Sequence, residues 1–190
     1  SVDTGAGLER LAMVLGGHDS VYDTDLLRPI YEEIKKGFNS KIISEREMLI
    51  LTDHLRTVSL ILSEKVLPSN EGRGYTPRKL IRRCMMITVK HKIYDFDFLK
   101  VIEFILDNYQ DIFSTFKVNR EFVLEEFKKE YKQFQKVIVN GMQKLEELSK
   151  DNISAKDTFE LVTTYGLPFD IIKQYALENK LSIDEDEFHK

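Results

Sequence analysis

Arg73, Arg78, Lys79, Arg82, Arg83, Lys90 and Lys92 fall in one stretch, from 73 to 92, that contains no Asp or Glu. Guanidinium and ammonium groups at this density attract anions, and a stripe of them beside a flexible loop suits a nucleic-acid phosphate backbone. At helical spacing Arg78 and Arg82 share one side with the loop residue Arg73 a turn before. Lys79 and Arg83 lie beside them, while Leu80, Ile81, Cys84 and Met85 point inward. The same run is also what a solvated basic face looks like when acids elsewhere in the fold balance it.

A second group with chemical potential is Gly5-Ala6-Gly7-Leu8-Glu9-Arg10. Two glycines let a backbone approach a flat or anionic ligand, and an arginine one turn into a following helix supplies a planar, permanently charged fork for phosphate. The alternative is a tight turn with Arg10 solvated or paired to Glu9. A dinucleotide fingerprint does not fit, because the third glycine of GxGxxG would fall on Arg10 and no strand-helix-strand unit follows. The histidines at 18, 54, 91 and 189 are scattered without metal-ligand spacing, so no metal site is expected. Asp53-His54 suits hydrogen-bonded structure better than general-base catalysis. Cys84 reads as an inert core thiol, and Phe127, Tyr131 and Phe134 as a core face.

The elements that must carry these groups follow from composition. The chain has 190 residues, 28 Lys+Arg against 32 Asp+Glu for a net charge of −4, and 42% hydrophobic residues. With four prolines and nine glycines it belongs with helical globular domains and outside the collagen, mucin and disulfide-stapled classes. No apolar run approaches the ~18 residues of a membrane helix. One cysteine cannot form an intramolecular disulfide, which fits a reducing, cytoplasmic setting. The first residues are Ser-Val-Asp rather than Met, as expected of a piece of something longer.

Between Tyr75 and Tyr165 the only glycine is Gly141, so this stretch should be mostly helix. A short strand is expected at Ser1–Thr4, then a glycine turn and a helix with Leu8, Leu11, Ala12 and Leu15, stopped by Gly16-Gly17. Helices should follow from about Thr24, from the Ser44-x-x-Glu47 capping box, and from Pro77 with Thr76 as its cap. Asp97, Asn119 and Ser154 should open three more, Asn119 a long one. A last helix through Ile171, Ile172 and Tyr175 leads to the acidic end Asp184-Glu185-Asp186-Glu187.

Three separated segments, in order, carry a family resemblance. Val2-Asp3-Thr4-Gly5-Ala6-Gly7-Leu8-Glu9-Arg10-Leu11-Ala12 resembles motif 3 of class II aminoacyl-tRNA synthetases in its alanyl form. Asp53-His54-Leu55-Arg56-Thr57 and Leu67-Pro68-Ser69-Asn70-Glu71-Gly72-Arg73-Gly74-Tyr75, with Arg78-Lys79 and Arg82-Arg83, are similar to the central helical region of that family. Thr164-Tyr165-Gly166-Leu167-Pro168-Phe169-Asp170 resembles the motif near that region's end.

The resemblance implies a mainly α fold: a bundle-like helical domain (18–190) that recognises the tRNA acceptor stem, preceded by a strand-turn-helix remnant of the catalytic domain (1–17). The family activates alanine with ATP and Mg2+ and transfers it to tRNA(Ala). By resemblance Arg10 contacts ATP phosphate, Asp3 pairs with the ammonium of alanine, and Gly5 and Gly7 lie against the nucleotide and amino acid. Asn70 reads a G·U wobble pair, with Arg73, Arg78, Lys79, Arg82 and Arg83 holding the backbone around it. Thr163 stands where the family usually carries an aspartate, so a hydroxyl replaces part of the hydrogen bonding but not the charge. The parent is thus expected to be a ligase, while this segment binds RNA and, without the rest of a class II active site, neither forms the adenylate nor holds a cofactor. The competing expectation is a helical protein-interaction scaffold with a basic docking face.

Overall fold

The computed structural model describes residues 5–38, 43–148 and 153–182. The expected strand at 1–4, Asp3 with it, and the acidic end at 184–187 lie outside the described residues. What is described is mainly helical: α1 (Leu8–Gly16), α2 (Arg28–Gly37), α3 (Glu45–Ser63), α4 (Tyr75–Lys90), α5 (Phe98–Tyr109), α6 (Ser114–Val118), α7 (Arg120–Leu148), α8 (Ala155–Thr163) and α9 (Phe169–Asn179). Short 3-10 turns at Val21–Asp23 and Gly72–Gly74 precede α2 and α4. The chain packs as two compact units, 1–130 and 131–190, with α7 contributing to both.

In the first unit α3 is the central element, packed against α2, α4, α5 and α6. Its apolar face behaves as the spacing predicts: Leu51, Leu55, Val58 and Leu62 are wholly buried, as are Ile30 and Ile34 of α2, Ile81 of α4, and Ile102 and Ile105 of α5. Each such side chain contributes about 1.5–3 kcal/mol through burial. Rings extend this core, with Phe38 stacked on Phe96 at 4.4 Å between centroids and Phe96 edge-on to Phe98 at 4.7 Å. The capping box forms as expected: Ser44 Oγ accepts from the Glu47 amide at 3.3 Å, and the Glu47 carboxylate accepts from the Ser44 amide at 3.2 Å. Asp97 also caps α5, accepting from the Lys100 amide at 3.1 Å.

Two helix starts differ from the spacing-based expectation. Thr24 does not open α2; it is buried after the 3-10 turn, its hydroxyl donating to Val21 O at 2.6 Å, and the helix begins at Arg28. A start at Thr24 would place Pro29 in a helix interior, where its missing N–H breaks the ladder, whereas Pro29 in the first turn loses nothing. Likewise α4 starts at Tyr75 with Gly74 as N-cap, not at Pro77 behind a Thr76 cap. The cause is steric. Gly74 is buried where a Cβ would stand 2.0 Å from Leu67 O and 2.4 Å from Ser69 Oγ. The loop closes on itself there through Ser69 N donating to Gly74 O at 2.9 Å, so the turn runs directly into the helix.

In the second unit Phe134, Ile138 and Leu145 of α7 are buried, as are Leu161 of α8 and Ile171, Ile172 and Ala176 of α9. Gly141 stands within the unbroken long helix where Leu167 lies against it, and a Cβ there would meet the Leu167 side chain at 3.0 Å. Ser154 and Asp157 form a second capping box at the start of α8.

Candidate nucleic-acid interface

The loop at 67–74 and the first two turns of α4 bring together most of the basic stripe. Ser69 Oγ donates to Glu71 O at 2.6 Å and Gly72 adopts a left-handed φ of 61°, a conformation that glycine enters without Cβ strain. Asn70 is exposed on this loop. Arg73, Lys79 and Arg83 are exposed as well, and Lys79 Nζ lies 5.9 Å from the ring centroid of the half-exposed Tyr75. Lys90 sits further along, donating to Glu47 Oε1 at 2.9 Å.

Arg78 and Arg82 are placed differently from their neighbours. Both lean on Glu130 of α7, a carboxylate only 3% exposed. Arg78 donates through Nε to Glu130 Oε2 at 3.2 Å, with its Nη2 in ion-pair contact with the same oxygen at 3.1 Å, and Arg82 donates through Nε to Glu130 Oε1 at 2.8 Å. The remaining amino group of Arg78, Nη1, donates to Asn70 Oδ1 at 2.5 Å. The stripe is therefore part solvated face, at Arg73, Lys79 and Arg83, and part built ion-pair network, in which Arg78 and Arg82 share one buried carboxylate. Glu130 was not visible as a partner in the sequence, because it lies 52 and 48 positions from the two arginines on a helix whose pattern announces only its apolar face.

Thr163 belongs to the second unit. It is exposed at the end of α8, and its hydroxyl donates back to Phe159 O at 2.7 Å. In the neighbouring motif Gly166 has a left-handed φ of 69° and Leu167 is buried.

At the start of the chain Arg10 is exposed in the first turn of α1. It does not pair with Glu9. Glu9 instead accepts from Arg56 Nη2 of α3 at 2.6 Å, and a backbone hydrogen bond together with that guanidinium holds its carboxyl below the usual range. Gly7 has an ordinary φ of −70°; among the described residues a Cβ would meet nothing at Gly5 and only the Arg10 side chain, 3.4 Å away, at Gly7. Packing among the described residues therefore does not demand glycine at either position. An open turn beside one guanidinium suits a phosphate by charge and access. Magnesium is a different matter: no group of three or more His, Cys, Asp or Glu among the described residues is placed to hold a metal ion.

The remaining candidates are structural. His54 is buried, with Nδ1 3.2 Å from Asp53 Oδ2, and that bond is the main reason the Asp53 carboxyl is held low. Burial pushes the Cys84 thiol far up, so it is no nucleophile. Phe127 and Phe134 are core, with Tyr131 half-buried between them in sequence. No helix among the described residues is long and apolar enough to cross a membrane.

The family described as tRNA synthetases class II (A) matches the chain over residues 1–190. The chain is 36% identical over 197 residues to the alanine-tRNA ligase of Elusimicrobium minutum, a match covering 100% of this chain and 23% of that protein. It is 33% identical over 196 residues to the alanine-tRNA ligase of Thermotoga maritima, again 100% against 23%. With the enzyme of Francisella tularensis subsp. mediasiatica the figures are 34% over 192 residues, 99% of this chain and 22% of the relative. The chain thus spans under a quarter of the length of these curated relatives.

Proposed function

Because the chain belongs to the class II tRNA synthetases, we propose that it acts within an alanine-tRNA ligase in the cytoplasm, where it holds and reads the acceptor stem of tRNA(Ala). The observation that carries this reading is the exposed Asn70 on a loop bordered by Arg73, Arg78, Lys79, Arg82 and Arg83. Guanidinium and ammonium groups attract phosphates regardless of sequence, whereas a carboxamide meets base edges with directional hydrogen bonds. Attraction and selection thus reside in adjacent side chains. Thr163 would supply a second polar contact from α8.

Alanine activation by the same ligase would use ATP with Mg2+. To that step this segment contributes Arg10 for the ATP phosphates, Gly5 and Gly7 as an open surface, and Asp3 for the alanine ammonium. Charge pairing of this kind stabilises a developing phosphate charge only when other groups hold the reactants in register. The isolated chain is accordingly proposed to bind RNA but to form no alanyl-adenylate and to hold no cofactor. ATP-pyrophosphate exchange above background would contradict that.

The experiment on RNA is a titration with an acceptor-stem hairpin at two salt concentrations, with the Arg82→Ala/Arg83→Ala double variant beside it. With three phosphates neutralised, affinity should fall by about 40-fold between ~50 and ~200 mM salt. The double variant should bind more weakly and depend less on salt. No binding at physiological salt by the unaltered chain would overturn the reading.

A further inference from the structure

Glu130 and Asn70 lie on different elements, yet one guanidinium touches both. Arg78 seats Nε and Nη2 on Glu130 Oε2 and sends Nη1 to Asn70 Oδ1. Arg82 occupies the other oxygen of the same carboxylate. Glu130 is buried and Asn70 is exposed, so the network runs from the interior of the first unit to the tip of its loop.

The chemistry of the parts limits what that tip can present. A guanidinium is a rigid plane that only donates, so once two of its nitrogens are seated on a carboxylate the direction of the third is set. The Asn70 atom facing Nη1 must be an acceptor, which makes it the carboxamide oxygen. The amide NH2 then points away from Arg78. A carboxamide without a partner can turn over and offer either edge, and so distinguishes donors from acceptors poorly. One tied by its oxygen offers N–H.

We propose that Glu130 is a positioning residue for RNA recognition: acting through Arg78, it locks the Asn70 carboxamide oxygen inward, so that the loop selects a base pair by a hydrogen-bond acceptor on its edge. This role rests on the acceptor-stem reading above and narrows it, since the loop then donates and does not accept. Arg82 shares the carboxylate and keeps it from turning toward either guanidinium alone.

The test compares two acceptor-stem hairpins, one with a G·U pair and one with G·C at that position, and reads the ratio of their dissociation constants for four proteins. These are the unaltered 190-residue chain, Glu130→Gln, Arg78→Lys and Asn70→Asp. Glu130→Gln leaves one acceptor oxygen for two guanidinium groups. Arg78→Lys keeps a cation but not the fork. Asn70→Asp keeps an oxygen for Arg78 and removes every N–H. The unaltered chain should prefer one hairpin, and all three substitutions should shrink that ratio, by about tenfold where the lost hydrogen bond carried it. A merely structural Glu130 would weaken both hairpins together and leave the ratio alone.

Two results overturn the proposal in distinguishable ways. If the unaltered chain shows the preference and folded Glu130→Gln or Arg78→Lys keeps it, or if Asn70→Asp keeps it, the lock through Glu130 is wrong while the acceptor-stem reading stands. If the unaltered chain binds both hairpins equally, the reading and the lock fall together. Should Glu130→Gln fail to fold by circular dichroism, Arg78→Lys and Asn70→Asp decide.

Discussion

Glu9 of α1 and Arg56 of α3 form an ion pair at 2.6 Å across 47 positions of sequence. No residue of α1 is buried, and Leu8, Leu11, Val14 and Leu15 are 49–85% exposed, so apolar burial does little to hold this helix. The pair and the contacts of α1 with the Val21–Asp23 turn attach it to the rest of the first unit.

Glu9→Gln should therefore free α1 without unfolding the rest. Hydrogen exchange at the α1 amides should rise, while the melting temperature of the first unit moves little, because a partly exposed pair is worth only about 0.2–1 kcal/mol. The Glu9 carboxyl is held below its ordinary value of 4.5 in the folded chain, so its contribution is present above pH 4.5 and fades as pH falls through the lowered value. Acid should release α1 in the unaltered chain, and the exchange rates of Glu9→Gln should lack that step.

A stronger acid dependence belongs to Glu47. Burial pushes its carboxyl up, but hydrogen bonds from Ser44, Lys90 and His91 outweigh that and bring it down to about 2. The same carboxylate caps α3 and, with Lys90 Nζ and His91 Nε2 each at 2.9 Å, pins the end of α4 to the start of α3. A depressed carboxyl stabilises the fold fully above its unfolded value and loses that effect as pH falls, here from 4.5 toward about 2. Urea unfolding across this range should show a steep acid limb. Glu47→Gln should lower stability at pH 7 by about 1–3 kcal/mol and flatten the limb.

Gly74→Ala should damage the loop more than Gly72→Ala. At Gly72 the cost is the left-handed φ of 61°, roughly 1 kcal/mol for a residue with a Cβ. At Gly74 the φ is an ordinary −75°, but a Cβ would collide with Leu67 O at 2.0 Å, which is backbone and cannot step aside. We expect a loss of about 1–3 kcal/mol from such overpacking, seen as a lower melting temperature, with a parallel loss of RNA affinity because Asn70 and Arg73 sit on the displaced loop.

Among the exposed cations, Arg73→Ala, Lys79→Ala and Arg83→Ala should each lower affinity for both hairpins alike and reduce the salt dependence by nearly one counterion, the signature of a phosphate contact. A change in hairpin preference on Lys79→Ala would assign it to base reading instead.

Much of the fold was legible because it rests on local rules. The Leu51, Leu55, Val58, Leu62 face and the Ser44 and Asp97 caps each depend on residues within a few positions of one another. The two helix starts that differed, at Arg28 and Tyr75, were set by Pro29 and by the closing of the loop on Gly74, the second of which involves a backbone approach that no residue pattern encodes. For the site, the sequence marked Asn70 and the basic residues, but treated Arg78 and Arg82 as equivalent to Arg73, Lys79 and Arg83. Their division depends on Glu130, and pairing at that separation is a product of packing. Asp3 lies outside the described residues, and Thr163 and Asn70 belong to separate units.

The most direct measurement is the ratio of affinities of the unaltered chain for G·U and G·C acceptor-stem hairpins, set against the same ratio for Asn70→Ala. A reader of the acceptor stem prefers the wobble hairpin by about tenfold or more, as one good base contact allows, and loses that preference with the carboxamide. Equal binding of both hairpins by the unaltered chain would reduce this surface to backbone attraction and contradict the account.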